Sequence, residues 1–342
     1  MRSPLLDLPG ATGTVVADHY GNPLAESKSF SSGEAWVDCS DWQVIRVAGP
    51  DRLIWLDSIS SQELASLPPQ TTTESLVLDP QGHVEHRFLL MDDGESAWLL
   101  TEPGTAPALV AWLEKMRFRM QVDIADHTDQ FAVIAAVQPP DISAEVRWVD
   151  SWPAIGPGAV GYGPDPHPGD GEGVTFFAVP RDTLAAGMHS PWAGVWALHA
   201  HLIAAGRPLL ADVDNKSLPH EWDWLRTAVH LNKGCYRGQE TVAKIHNLGH
   251  PPRRAVIFHL DGSDGSLPEL GADVVDGDAV IGQITRVARH HELGPIGIGL
   301  VKRKASSEDV VVRGIDGPVA ARTQQLTSPE AGAARRQGLR SR

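Results

Sequence analysis

The chain has 342 residues, 42% of them hydrophobic, with 43 acidic and 29 basic side chains and a net charge of −14, so it can bury sizeable cores in two or three compact units. The acidic balance repels phosphate backbones and offers no basic stripe, which speaks against direct nucleic-acid binding. There is no run of about 18 apolar residues and no apolar signal-peptide region, so the chain reads as cytoplasmic, with no membrane contact.

Residues 1–35 mix Gly, Ser and Pro with short apolar pieces and read as an N-terminal extension, order starting near Trp36. Residues 42–47 read as a strand, and Gly49-Pro50-Asp51 as a turn opening a helix with Leu53, Leu56 and Ile59 on one face. Strands follow at 75–79, 84–91 and 97–101, separated by Asp79-Pro80-Gln81-Gly82 and Asp92-Asp93-Gly94. Leu109, Trp112, Leu113 and Met116, spaced i, i+3, i+4, i+7, mark an amphipathic helix. A buried strand is expected over 131–137, and then a Pro- and Gly-loaded surface excursion over 138–173. A strand at 174–179 precedes a helix carrying Trp192, Val195, Leu198 and Leu202, which ends by Gly206-Arg207-Pro208.

Trp222, Leu225 and Val229 then suggest a short helix from Pro219 to about residue 231, stopped by Gly234. After Pro251-Pro252, short strands at 254–260, 279–287, 296–301, 309–312 and 318–326 alternate with Gly and Asp turns, the pattern of a small antiparallel barrel over 251–326. The stretch 327–342, rich in Ala, Gly and Arg, is expected to be a disordered tail. The whole is an α+β chain.

The chemistry concentrates in Lys233-Gly234-Cys235-Tyr236-Arg237-Gly238-Gln239-Glu240. A thiol attacks as thiolate; the neighbouring Lys233 and Arg237 would lower its pKa, and a helix C-terminus would oppose them, an issue the sequence leaves open. Cys39 and Cys235 are the two cysteines, too few for a disulfide framework or for the roughly four ligands of an iron–sulfur cluster. His83 and His86 point to opposite faces of a strand, and neither His199 with His201 nor His290-His291 has metal-site spacing, so no metal site is expected. No Gly-x-Gly-x-x-Gly or Walker-type loop occurs.

Lys-Gly-Cys-Tyr-x-Gly-Gln-Glu resembles the signature of the YgfZ group of folate-binding proteins, relatives of the glycine-cleavage aminomethyltransferase. The stretches 242–254 and Leu218-Pro219-His220-Glu221, with Asp41-Trp42 and the 47–52 turn, extend the likeness from about Cys39 to Val301. The resemblance implies a GcvT-like folate-binding domain over 36–250, made of two ferredoxin-like lobes and followed by the barrel. It also implies tetrahydrofolate or a one-carbon derivative as cofactor, and support for iron–sulfur cluster assembly or repair in client enzymes, tRNA-modifying ones among them.

On that reading Cys235 is the reactive thiol, with Lys233 and Arg237 beside it. Trp42, Trp196, Glu221, Tyr236, Gln239 and Glu240 are the candidate cofactor-binding residues, Trp42 by its place in the family's strand; Leu198 competes with Trp196 for its slot. Folate-using relatives carry an Arg and a Glu before the Gly-x-Pro. This chain has His201-Leu202-Ile203-Ala204-Ala205-Gly206, so Glu221 is the substitute by position. A folate-dependent aminomethyltransferase and a non-catalytic binding module stand as alternatives, and whether the chain is an enzyme is left open.

Overall fold

The computed structural model describes residues 2–138, 144–185, 191–263 and 265–334. Order begins well ahead of Trp36, contrary to expectation. A 3-10 turn at Pro4–Asp7 leads to α1 (Pro23–Ser31), whose N-terminus is capped by Asn22 Oδ1 accepting the Ala25 N–H at 3.2 Å. This helix is anchored by one fully buried ring, Phe30, edge-on to His201. One buried apolar side chain, with Ser27 the other buried residue, leaves no apolar periodicity to read.

After β1 (Trp36–Asp38), the first sheet is built from one continuous stretch: β2 (Gln43–Ala48), α2 (Arg52–Ile59), β3 (Thr72–Leu78), β4 (Val84–Asp92), β5 (Ser96–Thr101), α3 (Ala106–Met116) and β6 (Asp123–Asp126). Its order is β3-β4-β5-β2-β6, antiparallel throughout. β5 is buried at every position, which is why it reads as an apolar run rather than an alternation. Leu56 and Ile59 of α2 and Leu109 and Leu113 of α3 cover one face, packing on Ile45, Val47, Leu90 and Leu99.

The second sheet gathers β7 (Phe131–Ala136), β8 (Val146–Val149), β9 (Thr175–Pro180) and β10 (Trp192–Ala193) around β1, in the order β10-β1-β7-β9-β8. Two expectations are corrected here. The 138–173 stretch contributes β8, with Val146 and Trp148 buried in the sheet. Trp192 lies in β10, parallel to β1 opposite Trp36, and the helix starts later, at α5 (Val195–Ala204), after the short α4 (Arg181–Ala185). The two sheets share a core in which Trp42, Leu89, Trp98 and Leu100 meet Val133, Trp148, Phe176 and Leu198.

The helix expected from residue 219 is a single 3-10 turn, Pro219–Trp222, because Asp223 adopts a left-handed conformation (φ 57°) that ends it. Trp222, Leu225 and Val229 are nonetheless buried together. Past the signature loop, α6 (Gln239–Leu248) leads to β11 (Arg253–Leu260), β12 (Asp273–Asp276), β13 (Ala279–His290), β14 (Gly294–Lys302), β15 (Asp309–Gly314) and β16 (Gly317–Gln325). These close into a six-stranded barrel, β11-β14-β13-β12-β15-β16, with β16 returning to β11; β12 had not been expected. Of the tail expected to be disordered, residues 335–342 lie outside the described residues, whereas Thr327, Ala331 and Ala333 are buried. The architecture is α+β: two five-stranded sheets with helices, then the barrel.

Candidate functional site

Gly238 sets the shape of the signature loop. It sits at φ 83°, and a Cβ there would lie 2.5 Å from the Asp79 carbonyl oxygen and 3.0 Å from Leu78 Cβ. Only a residue without a side chain allows the loop to press against the β3–β4 turn and then enter α6. The tip is open: a side chain built at Gly234 would meet nothing within 4 Å, and Cys235 is exposed. Cys39, by contrast, is fully buried, and burial raises its thiol pKa well above the ordinary value.

Both cations flanking the thiol are committed elsewhere. The Lys233 ammonium, its side chain 1% exposed, donates to the carbonyl oxygens of Asp57 (2.5 Å), Ser60 (2.9 Å) and Gln62 (2.6 Å) and pairs with the Asp57 carboxylate at 3.0 Å. Burial lowers its pKa and Asp57 opposes that shift. Lys233 therefore pins the loop to the end of α2. Arg237 pairs with Glu85 of β4 at 2.7 Å. Tyr236 is buried beneath the loop, its ring 5.5 Å from the Lys233 ammonium, and burial raises its pKa. Gln239 closes the loop by donating to the Lys233 carbonyl at 3.3 Å. Glu240 is exposed in the first turn of α6, where the helix dipole favours a carboxylate.

The remaining candidates do not converge on this loop. Trp42 is 6% exposed and stacks on Phe176 with ring centroids 4.8 Å apart, so it is part of the core shared by the two sheets. Trp196 is 48% exposed at the start of α5, its ring 4.9 Å from that of His19. Its competitor, Leu198, is in the core. Glu221 is fully buried; its carboxylate accepts the Leu218 N–H and pairs with Arg253 at 2.8 Å. It joins the 3-10 turn to the barrel, and both oxygens are occupied.

Sequence reasoning missed a buried charge cluster beside the loop. Arg207, the middle residue of the Gly-x-Pro, donates to Glu74 and Asp150, both at 2.8 Å, and Arg87 joins Glu74 (2.7 Å) to Glu102 (2.9 Å). Burial pushes the Glu74 pKa up, but Arg207 and Arg87 outweigh it and hold the carboxyl at about 2. Thr227 adds a hydroxyl hydrogen bond to Glu74. The six members come from six separate strands and loops, so spacing carries no signal of them.

Thr227 also lines a cavity of about 330 Å³ bounded by Gln62, Glu63, Leu67, Pro68, Thr72, Ala154, Pro157 and His230. The cavity shares its wall with the anchor of the signature loop, because Lys233 donates to the Gln62 carbonyl and the His230 N–H donates to the Ser61 carbonyl at 3.0 Å. Leu67, Pro68, Ala154 and Pro157 give it apolar walls, Gln62, Glu63, Thr72, Thr227 and His230 bring donors and acceptors, and its volume falls in the range of small-molecule sites. Among the described residues, no group of three or more His, Cys, Asp or Glu side chains is placed to hold a metal ion, and no helix is long and apolar enough to cross a membrane.

No family model matches the chain. It is similar to the mitochondrial iron–sulfur cluster assembly factor IBA57 homolog of Mycosarcoma maydis, 28% identical over 269 residues. That alignment covers 71% of this chain and 62% of the relative, so the chain spans less than two thirds of that relative's length. A putative chloroplastic transferase of Arabidopsis thaliana is 26% identical over 324 residues, 85% of this chain and 71% of that protein. An aminomethyltransferase of Bordetella petrii is 26% identical over 155 residues, 42% of each chain. Among solved structures, the glycine cleavage system aminomethyltransferase T from Bartonella henselae superposes with a TM-score of 0.73 at 18% identity, covering 96% of this chain and 97% of that one, a likeness of fold. The signature loop is thus presented on the fold of a glycine-cleavage aminomethyltransferase, in a chain similar in sequence to an iron–sulfur cluster assembly factor homolog and to aminomethyltransferases.

Proposed function

We propose that the protein binds tetrahydrofolate or a one-carbon derivative and supports assembly or repair of iron–sulfur clusters in client enzymes, with Cys235 as its reactive thiol. The observation that carries this reading is the shared wall: one turn, 57–62, both anchors the loop that exposes Cys235 and bounds the 330 Å³ cavity. The pterin is assigned to that cavity, between Leu67, Pro68 and Pro157 and under the His230 ring, with Gln62, Glu63 and Thr227 at its polar edge. Glu63 takes the part of the carboxylate missing before Gly206. Folate, when bound, carries the one-carbon unit. The protein's part is to orient that ligand and to hold Cys235 where a client can reach it.

Lys233 shapes the loop rather than activating the sulfur, and Trp42, Trp196 and Glu221 act outside the ligand site. Tetrahydrofolate titration followed by tryptophan fluorescence tests the assignment. Glu63→Gln should weaken binding about tenfold or more, the loss of one charge-assisted hydrogen bond, and Trp42→Phe should leave it unchanged. Cys235→Ala should bind folate normally yet fail to restore cluster-dependent activities in cells lacking the protein. Methylene transfer from an aminomethyl donor by the purified chain would replace this reading with the aminomethyltransferase one. Against that outcome stands Glu74, the buried carboxylate bonded to Thr227 of the cavity wall, which is held ionised between two guanidinium groups and is a poor base.

A further inference from the structure

The turn after α3 departs from the rest of the surface in three ways. Phe118 is 84% exposed, and its backbone is held at φ 44°, a conformation that is uncommon for a non-glycine residue and costs free energy to maintain. Lys115, Arg117 and Arg119 crowd around it in a chain whose net charge is −14. Among the described residues neither Lys115 nor Arg119 pairs with a carboxylate, and Arg117 reaches Glu114 only at 3.5 Å with both side chains 43% exposed.

The surrounding structure holds this turn in place. The Asp51 carboxylate accepts the Gln121 N–H at 2.7 Å, and Trp55 Nε1 donates to the Met116 carbonyl at 3.1 Å. Asp51 is the N-cap of α2 and Trp55 lies within it, and Ile54 between them is 61% exposed. The other end of α2 is where Asp57 pairs with Lys233. The Phe118 turn is therefore fixed to the N-cap and middle of an eight-residue helix whose C-terminal end holds the Cys235 loop.

We propose that Phe118, Ile54 and the cations of this turn are a docking surface for an acidic, partly apolar segment of a partner protein, which places that partner beside Cys235. An exposed aromatic among arginines is the composition of an interface anchor. The net negative charge of the chain disfavours an acidic partner over much of the surface, and this turn sets cations beside an exposed ring. Three cations are too few to hold a nucleic acid at physiological salt, where binding draws on roughly six to ten phosphate contacts. The partner class rests on the reading of the chain as an accessory to client enzymes.

The test uses the full-length chain and a fluorescein-labelled peptide of repeated Glu-Glu-Leu, followed by anisotropy. The peptide should bind, more weakly as salt rises, and Arg119→Glu should lower affinity by about tenfold or more. Phe118→Gly is the decisive variant: glycine relieves the positive φ, so the thermal midpoint should hold or rise while binding falls. Cys235→Ser should bind the peptide as the parent does, which separates failure of this surface from failure of the thiol reading. Absence of peptide binding, or binding that survives both turn variants, overturns the proposal. So does tighter binding of a labelled single-stranded oligonucleotide that the variants abolish, or a dimer on sizing that Phe118→Gly dissolves.

Discussion

Two thiols of one chain face opposite environments, and a single reagent separates them. Iodoacetamide should alkylate the native protein once, at Cys235, and twice after unfolding, because Cys39 is sealed in the core and its pKa is raised by burial; mass spectrometry counts the adducts. Lys233→Met should cost about 3 kcal/mol in urea denaturation, since it leaves three carbonyl oxygens and Asp57 without their cation. At this scale the sequence was readable in part. The thiol, the glycines and the crowding of charge were plain from the signature. The direction of each side chain was not, because adjacency in sequence says nothing about whether Lys233 turns toward Cys235 or away to α2. The surroundings of Trp42 were hidden for a related reason: a tryptophan suited to a flat ligand is equally suited to stack on Phe176, as it does here.

Elements with a strong period were legible, and those defined by distant partners were not. α2, α3 and β2 to β5 follow their apolar spacing closely, whereas β6, with no buried position, gave no such signal. β8 and β10 are short, and each exists only because a strand far off in the chain pairs with it. The helix expected after Pro219 has a helical apolar pattern and still stops after one turn at Asp223, whose carboxylate accepts the backbone N–H groups of Tyr162 and Gly163. Tertiary hydrogen bonding overrides local preference there. Gly238 makes the opposite case, a local requirement that can be tested alone. Gly238→Ala should lower stability by about 2 kcal/mol or more, from positive φ together with the close approach to Asp79, and should quicken alkylation of Cys235 as the loop lifts from the sheet.

For the molecule as a whole, acid should destabilise. Burial holds His220 at about 3 and His167, His199 and His290 at about 4, so all four are neutral in the native state. Unfolded histidines take up protons below about 6.5. The unfolded state then binds more protons, and stability falls as pH drops from 7 toward 4. Asp41 and Asp223, raised by burial to about 6, act in the reverse sense: they keep a proton that the unfolded chain has lost, and so gain as pH falls through 6. Four groups against two leave a net uptake of protons on unfolding, so acid lowers stability on balance. Urea midpoints at pH 7 and pH 5 check the sign.

The placement of β1 has a consequence for how the molecule is made. The first sheet is encoded by one unbroken stretch, whereas β1, synthesised just before it, pairs only with β7 and β10, the latter beginning at Trp192. On the ribosome the first sheet can close as soon as β6 has emerged, with the earlier strand still waiting for partners. Assembly therefore runs out of step with translation, and the amino-terminal strand is the most exposed to mispairing in a half-made chain.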